Sequence, residues 1–340
     1  MTDDGYFSGA NYDPETVRFF DVAHAGAHIR TIAAHTQYLS TLRGTEFRAV
    51  AILPTDQIAH ATAELTVELI SPLTVPITIA DRLPLYVGPL DLVVVVGERA
   101  DADWASLALI EAARRGATTV LIGPSRGPIH EDAPEDTITF PVPPTAGGAA
   151  PSRYLAGLVA LQWSVTQDEI MVADKLHELA DAADAELEQL SPERDVTVNP
   201  GRELRDFVEG ARVVHTGSRS LASPDFPHRV EVGLSIARCA ATLFSAHGLA
   251  GEFLEPELIP VVLDRQPSSP ASDDIFHDPF LDGEKSQVPL KIIVWGQAES
   301  HLPGSLAVAC TDTDTSDLVC AVQLLTRAFA ATAYDISKED

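Results

Sequence analysis

Cysteine is scarce in this 340-residue chain: Cys239, Cys310 and Cys320 all lie in apolar surroundings, with no paired spacing between them. That argues against a disulfide framework or a thiolate zinc site and leaves three small core residues. Long apolar runs are also missing. None approaches the ~20 residues of a membrane span, and "MTDDGYFSGANYDPE" lacks the basic and apolar regions of a secretory signal. A soluble cytoplasmic protein with no membrane partner is expected. Positive charge is in deficit, since 50 Asp and Glu face 23 Lys and Arg, a formal charge of −27. This balance opposes nucleic acid, so a phosphorylated ligand needs a local cluster of donors. No nucleophile elbow is present, and "GERADAD" is not a dinucleotide glycine fingerprint. Asp21, His24 and His28 could share one helix face, but no fourth ligand is in view. Neither a metal nor a cofactor is assigned.

What is present is a recurrent alternation. With 45% hydrophobic residues the chain is long enough for two domains. After a polar arm at 1–18, "FFDVAHAGAHIRTIAAHTQYLSTL" has helical spacing. "FRAVAILP", "VPITIA", "LDLVVVVG", "TTVLIG" and "TITFPVP" read as strands. Between them, "DQIAHATAELTVELIS", capped by Thr55 or Asp56, and "ADWASLALIEAARRG" read as helices. Apolar strands alternating with amphipathic helices predict an α/β fold with a parallel, doubly wound sheet, which binds ligands at the carboxyl ends of its strands.

"PTAGGAAPS" breaks the pattern. Two connecting helices follow, "RYLAGLVALQWSV" and "DEIMVADKLHELADAADAELEQL", whose acidic run reads as a solvated face. The second half then repeats the first in order of elements. "ARVVHTGSRS" stands for "FRAVAILPTD", "LKIIVWGQAES" for "LDLVVVVGERAD" and "LAVACTD" for "TTVLIGP". The expected organisation is a first domain at 19–152, connecting helices at 153–199, and a second domain at 200–336 interrupted by a surface loop at 264–287.

Three segments carry a resemblance. They are "LDLVVVVGERADADWASLALIEAARRGATTVLIG", "PSRYLAGLVAL" and the closing "LLTRAFAATAY", with the fragment "PEL" at 256–258 beside them. In this order the chain resembles the double sugar isomerase (SIS) domain proteins, most of all the bifunctional phosphoglucose/phosphomannose isomerases and their actinobacterial TobH-like relatives. The resemblance implies two tandem αβα sandwiches and interconversion of glucose 6-phosphate or mannose 6-phosphate with fructose 6-phosphate, while the apolar faces of the helices that tie the halves together predict a homodimer. The departures are specific. Where relatives follow the first strand with glycines and a serine, this chain has Pro54, Thr55, Asp56 and Gln57. Where they carry a hydroxyl-rich loop, it has Gly97, Glu98, Arg99, Ala100 and Asp101. Carboxylates there oppose a phosphate dianion.

Isomerisation also needs a base, a ring-opening acid and phosphate donors. The family's helix glutamate should fall in "SIARCA", which has none. Glu231 could serve as the base from about a turn earlier, or simply be a helix-start acid. His247 could be the ring-opening acid, or a histidine at a helix end. Glu257 matches only through "PEL". For phosphate, Thr216, Gly217, Ser218, Arg219 and Ser220 form a strand-end turn with hydroxyls and one guanidinium, or else a satisfied polar turn. Arg153 resembles a family position near the ligand, with a surface salt bridge as its structural alternative. Three functions follow: a divergent phosphosugar isomerase, a catalytically silent sugar-phosphate sensor or regulatory protein, or a scaffold.

Overall fold

The computed structural model describes residues 13–143, 148–217, 232–265, 288–310 and 315–336. The first half runs α1 (Pro14–Ala23), α2 (Ala25–Ala33), a 3-10 turn at Thr36–Leu42, β1 (Ala49–Pro54), α3 (Gln57–Leu69), β2 (Ile77–Ile79) and β3 (Asp91–Val96). It continues through α4 (Asp103–Arg114), β4 (Thr118–Ile122), the short α5 (Pro128–Glu131) and β5 (Ile138–Thr139). Three helices connect the halves: α6 (Pro151–Ser164), α7 (Glu169–Gln189) and α8 (Pro200–Val208). The second half is β6 (Arg212–Gly217), α9 (Val232–Ala246), β7 (Glu252–Phe253), α10 (Ile259–Asp264), β8 (Leu290–Trp295), β9 (Ser305–Val308) and α11 (Asp317–Ala331).

Among the described residues every strand pairing is parallel. The first sheet is ordered β2-β1-β3-β4-β5 and the second β7-β6-β8-β9, so the second repeats the first strand for strand up to β9. The valine run of β3 is buried along its whole length because both faces are covered. Val94 and Val96 point into the main core with Ile52 and Ile122. Val93 and Val95 point the other way, onto Ala105 and Leu109 of α4. The main core is continuous across the halves: it holds Ile52 of the first sheet, Ile293 of the second and Leu325 of α11. The seam is α3 against α9, where Thr62 Oγ1 lies 3.6 Å from Cys239 Sγ.

The structure departs from the sequence reading at several elements. The N-terminal helix begins at Pro14, with Glu15 buried, and breaks at His24. The acidic helix α7 keeps most of its acids exposed, and the exception is Glu186, which is buried and paired with Arg327 of α11 at 2.7 Å. Of the 264–287 insertion only Asp264 and Arg265 are described. Among the described residues no helix is long and apolar enough to cross a membrane.

Candidate functional site

The carboxyl ends of β1, β3 and β4 open onto the start of α3, where a parallel sheet receives its ligand. Here the protein's own groups fill that place. Asp56 caps α3 through Oδ1, which accepts from the Ala59 N–H at 2.8 Å, and its Oδ2 accepts from the Glu98 N–H at 3.0 Å. The helix N-terminus that would attract an anion is already answered by a carboxylate. Gly97 makes this closure feasible: its φ is +131°, and a Cβ there would stand 2.2 Å from Thr55 Oγ1.

Arg153, on the first turn of α6, is fully buried behind this turn. Its Nη1 donates to Glu98 Oε1 at 2.7 Å, its Nη2 to the carbonyls of Gly123 and Phe140 at 2.7 and 3.1 Å, and its Nε to Pro141 O at 3.3 Å. The family-like arginine is thus engaged in a buried ion pair that ties the ends of β4 and β5 to the Glu98 turn. Burial pushes the Glu98 carboxyl up against the opposing pull of Arg153. Beside this pair sit two buried polar groups, His28 and Tyr154, whose Nδ1 and hydroxyl have no hydrogen-bond partner among the described residues. Burial, aided by the charges of Arg153 and His24, lowers His28 to about 3. The rings of His24 and His28 are 6.4 Å apart, and no trio of His, Cys, Asp or Glu gathers as a metal site among the described residues.

An open cleft of about 740 Å³ lies next to Asp56, along the α3–α9 seam. The first half contributes Gln57, His60 and Trp104, the second Arg238, Thr242 and Phe253. Arg238 is ion-paired with Glu255 at 2.7 Å and stacked 4.7 Å from the Phe253 ring centroid. It is the only charged side chain on α9. A lone charge in an otherwise apolar helix was the signal for it in the sequence, whereas nothing local links Glu98 to Arg153.

In the second half, Thr216 and Gly217 end β6 and are buried, and Thr216 Oγ1 has no partner among the described residues. Gly217 is packed so closely on the start of α9 that a Cβ would stand 2.2 Å from the Gly233 carbonyl carbon. Ser218, Arg219, Ser220 and Glu231 lie outside the described residues. His215, one turn of the pleat earlier, is wholly buried; it accepts a hydrogen bond on Nδ1 from Trp295 Nε1 at 3.1 Å, and burial lowers it to about 3. Glu257 sits in the exposed turn Pro256–Leu258, after β7 and therefore towards the ligand end of the second sheet. His247 does not join it. It follows the far end of α9, ~22 Å of helix away from the start at 1.5 Å per residue, with Nδ1 on Leu243 O at 2.8 Å and its ring against Phe329.

No family model matches the chain, and no curated protein matches it. Solved structures do. The tagatose-6-phosphate ketose/aldose isomerase of Escherichia coli superposes with a TM-score of 0.55 at 13% identity, covering 96% of this chain and 93% of that one. The C-terminal domain of glucosamine-fructose-6-phosphate aminotransferase from Francisella tularensis gives 0.56 at 12%, covering all of both chains. A protein assigned as a phosphosugar isomerase from Clostridium difficile 630 gives 0.58 at 12%, covering 92% and 91%. At such identities the likeness is one of fold, and the fold is that of the SIS-type phosphosugar isomerases.

Proposed function

We propose that the protein binds a sugar phosphate in its second half and belongs, by descent, with the bifunctional phosphoglucose/phosphomannose isomerases and their TobH-like relatives, with isomerase chemistry degenerate. The observation that carries this reading is the composition of α9: Val232–Ala246 holds no Asp or Glu, and its one charge is committed to Glu255. Proton transfer between C1 and C2 of a sugar needs a base within hydrogen-bond reach, and the family's helix position for it carries none. The separation of His247 from the strand ends points the same way. In the first half the α3 N-terminus and Arg153 are already engaged by carboxylates of the chain, Asp56 and Glu98, which weighs against a phosphate on those donors. The phosphate donors in this reading are Thr216, Gly217, Ser218, Arg219 and Ser220. Solved proteins of this fold named for tagatose 6-phosphate and glucosamine-fructose 6-phosphate support a hexose phosphate as the ligand class. The matching physical state is a cytoplasmic homodimer.

A second reading, an active isomerase converting glucose 6-phosphate or mannose 6-phosphate to fructose 6-phosphate, is favoured by one observation: Glu257 stands at the ligand end of the second sheet. Thermal unfolding with 1 mM glucose, mannose, fructose and tagatose 6-phosphates, paired with an isomerase assay, separates the two. Binding to the folded state raises the midpoint by mass action, about 2.7 kcal/mol at a hundred times Kd. A rise that Arg219→Ala abolishes, without turnover, supports the binding protein. Turnover lost in Glu257→Gln establishes the isomerase. No rise with any of the four overturns both.

A further inference from the structure

A second cavity, separate from the cleft, lies at the opposite end of the first sheet. It has a volume of about 280 Å³ and sits between α3 and α6, over the starts of the strands. Its floor is Val50 and Ile52 of β1 with Val94 of β3, and its walls include Val67 on α3 and Leu161 on α6. Protein interiors are close-packed, and a cavity of about 150 Å³ lined by aliphatic side chains stays dry and takes up benzene. This one is roughly twice as large and reaches the surface beside Glu46 and Thr166, both exposed. It is therefore accessible as well as apolar.

Its chemistry selects the occupant. No Lys, Arg or His lines it, and its only charged residue is Glu46 at the mouth. A carboxylate, phosphate or sulfate gains no counter-charge there and is repelled on entry. Inside, the Thr66 hydroxyl is already donated to Thr62 O at 2.7 Å, so the interior rewards little but apolar contact. Polar groups that can meet a ligand's hydroxyl stand at the outer end: Gln162 on the last turn of α6, and just past it Thr166, whose oxygen can still accept while its hydroxyl donates to Trp163 O at 3.4 Å. We propose that this cavity binds a small uncharged aliphatic or alicyclic molecule carrying at most a hydroxyl, its hydrocarbon on the β1 and β3 valines and its hydroxyl at the mouth. The site is independent of the sugar-phosphate reading, because its lining includes neither a residue of the 216–220 turn nor one of the cleft.

The neutral dye N-phenyl-1-naphthylamine, followed by fluorescence and competed with 1-octanol or octanoate, tests this on the full chain. One saturable site per chain is expected, with octanol displacing the dye at least tenfold better than octanoate. Val67→Phe fills the cavity and is expected to weaken dye binding at least tenfold while Tm holds or rises. Thr166→Trp, at the exposed mouth, carries the same test should Val67→Phe not fold. Absence of a saturable site, binding unchanged in the folded variants, or octanoate competing as well as octanol would overturn the proposal. So would dye affinity that falls as the chain self-associates, which assigns the mouth to a second copy.

Discussion

Arg153 and Glu98 are 55 positions apart and meet at 2.7 Å with the arginine out of contact with solvent. Removing one partner of such a pair strands the other's charge, at a cost of about 3–5 kcal/mol. Arg153→Met is expected to lower stability by that amount in urea titrations, and Glu98→Gln by less, since an amide oxygen still accepts from Nη1 and burial already disfavours the carboxylate. His28 and His215 supply a pH dependence. Both stay neutral in the folded chain, held near 3, while an unfolded histidine titrates near 6.5. Their contribution is complete above about pH 6.5 and is lost as pH falls towards 3, because only the unfolded state takes up the protons. The expected slope is about 1.4 kcal/mol per pH unit for each histidine. His215→Gln, which can still accept from Trp295, should remove one of the two when stability is followed from pH 7 to 4. The sequence exposed the acids of the "GERAD" turn, whose charge opposes a phosphate. It concealed the partner of Glu98, because two residues that distant become neighbours only through the sheet. Arg153 was legible as a residue of consequence, while the ligand it holds, a carboxylate of the same chain, was not.

Elements were read best where periodicity decides alone. The unbroken apolar runs of β1, β3 and β4 belong to central parallel strands, and the Asp56 cap and Gly116, at φ +82°, bound α3 and α4 where the chain chemistry placed them. Short edge elements were blurred: "TITFPVP" yields only Ile138–Thr139 as strand. The acidic run of α7 is largely the solvated face that its charge suggests, with Glu169, Asp174, Glu178 and Asp181 exposed, and the exception is Glu186, which faces inward to Arg327 because a charge count reports no partner. The strand-to-helix junctions of the two halves also differ in a way that pairing makes visible: Pro54 faces Val96 as Gly217 faces Trp295. Gly217→Ala places a methyl against the Gly233 backbone, which cannot rotate away as a side chain can. Such overpacking costs about 1–3 kcal/mol or more. Circular dichroism during chemical unfolding should show a loss at the upper end of that range. An unchanged midpoint would mean that α9 shifts freely on β6.

At the scale of the molecule, α1 and the segment that follows α11 act as a clasp. Glu15 of α1 pairs with Arg202 of α8, Phe19 stacks on Tyr334 with centroids 5.6 Å apart, and the Tyr334 hydroxyl donates to Leu190 O at the end of α7. With the main core passing from the first sheet to α11, calorimetry is expected to show one cooperative transition for both halves. Deleting residues from Ser316 onward should abolish that transition altogether, leaving no folded first half. Two separated transitions would refute the shared core. The repeat of element order legible in the sequence, and met again in the two sheets, carries a consequence of another kind. Neither half is expected to serve as a cassette that could be excised, shuffled or grafted, because the core and the seam between α3 and α9 belong to both.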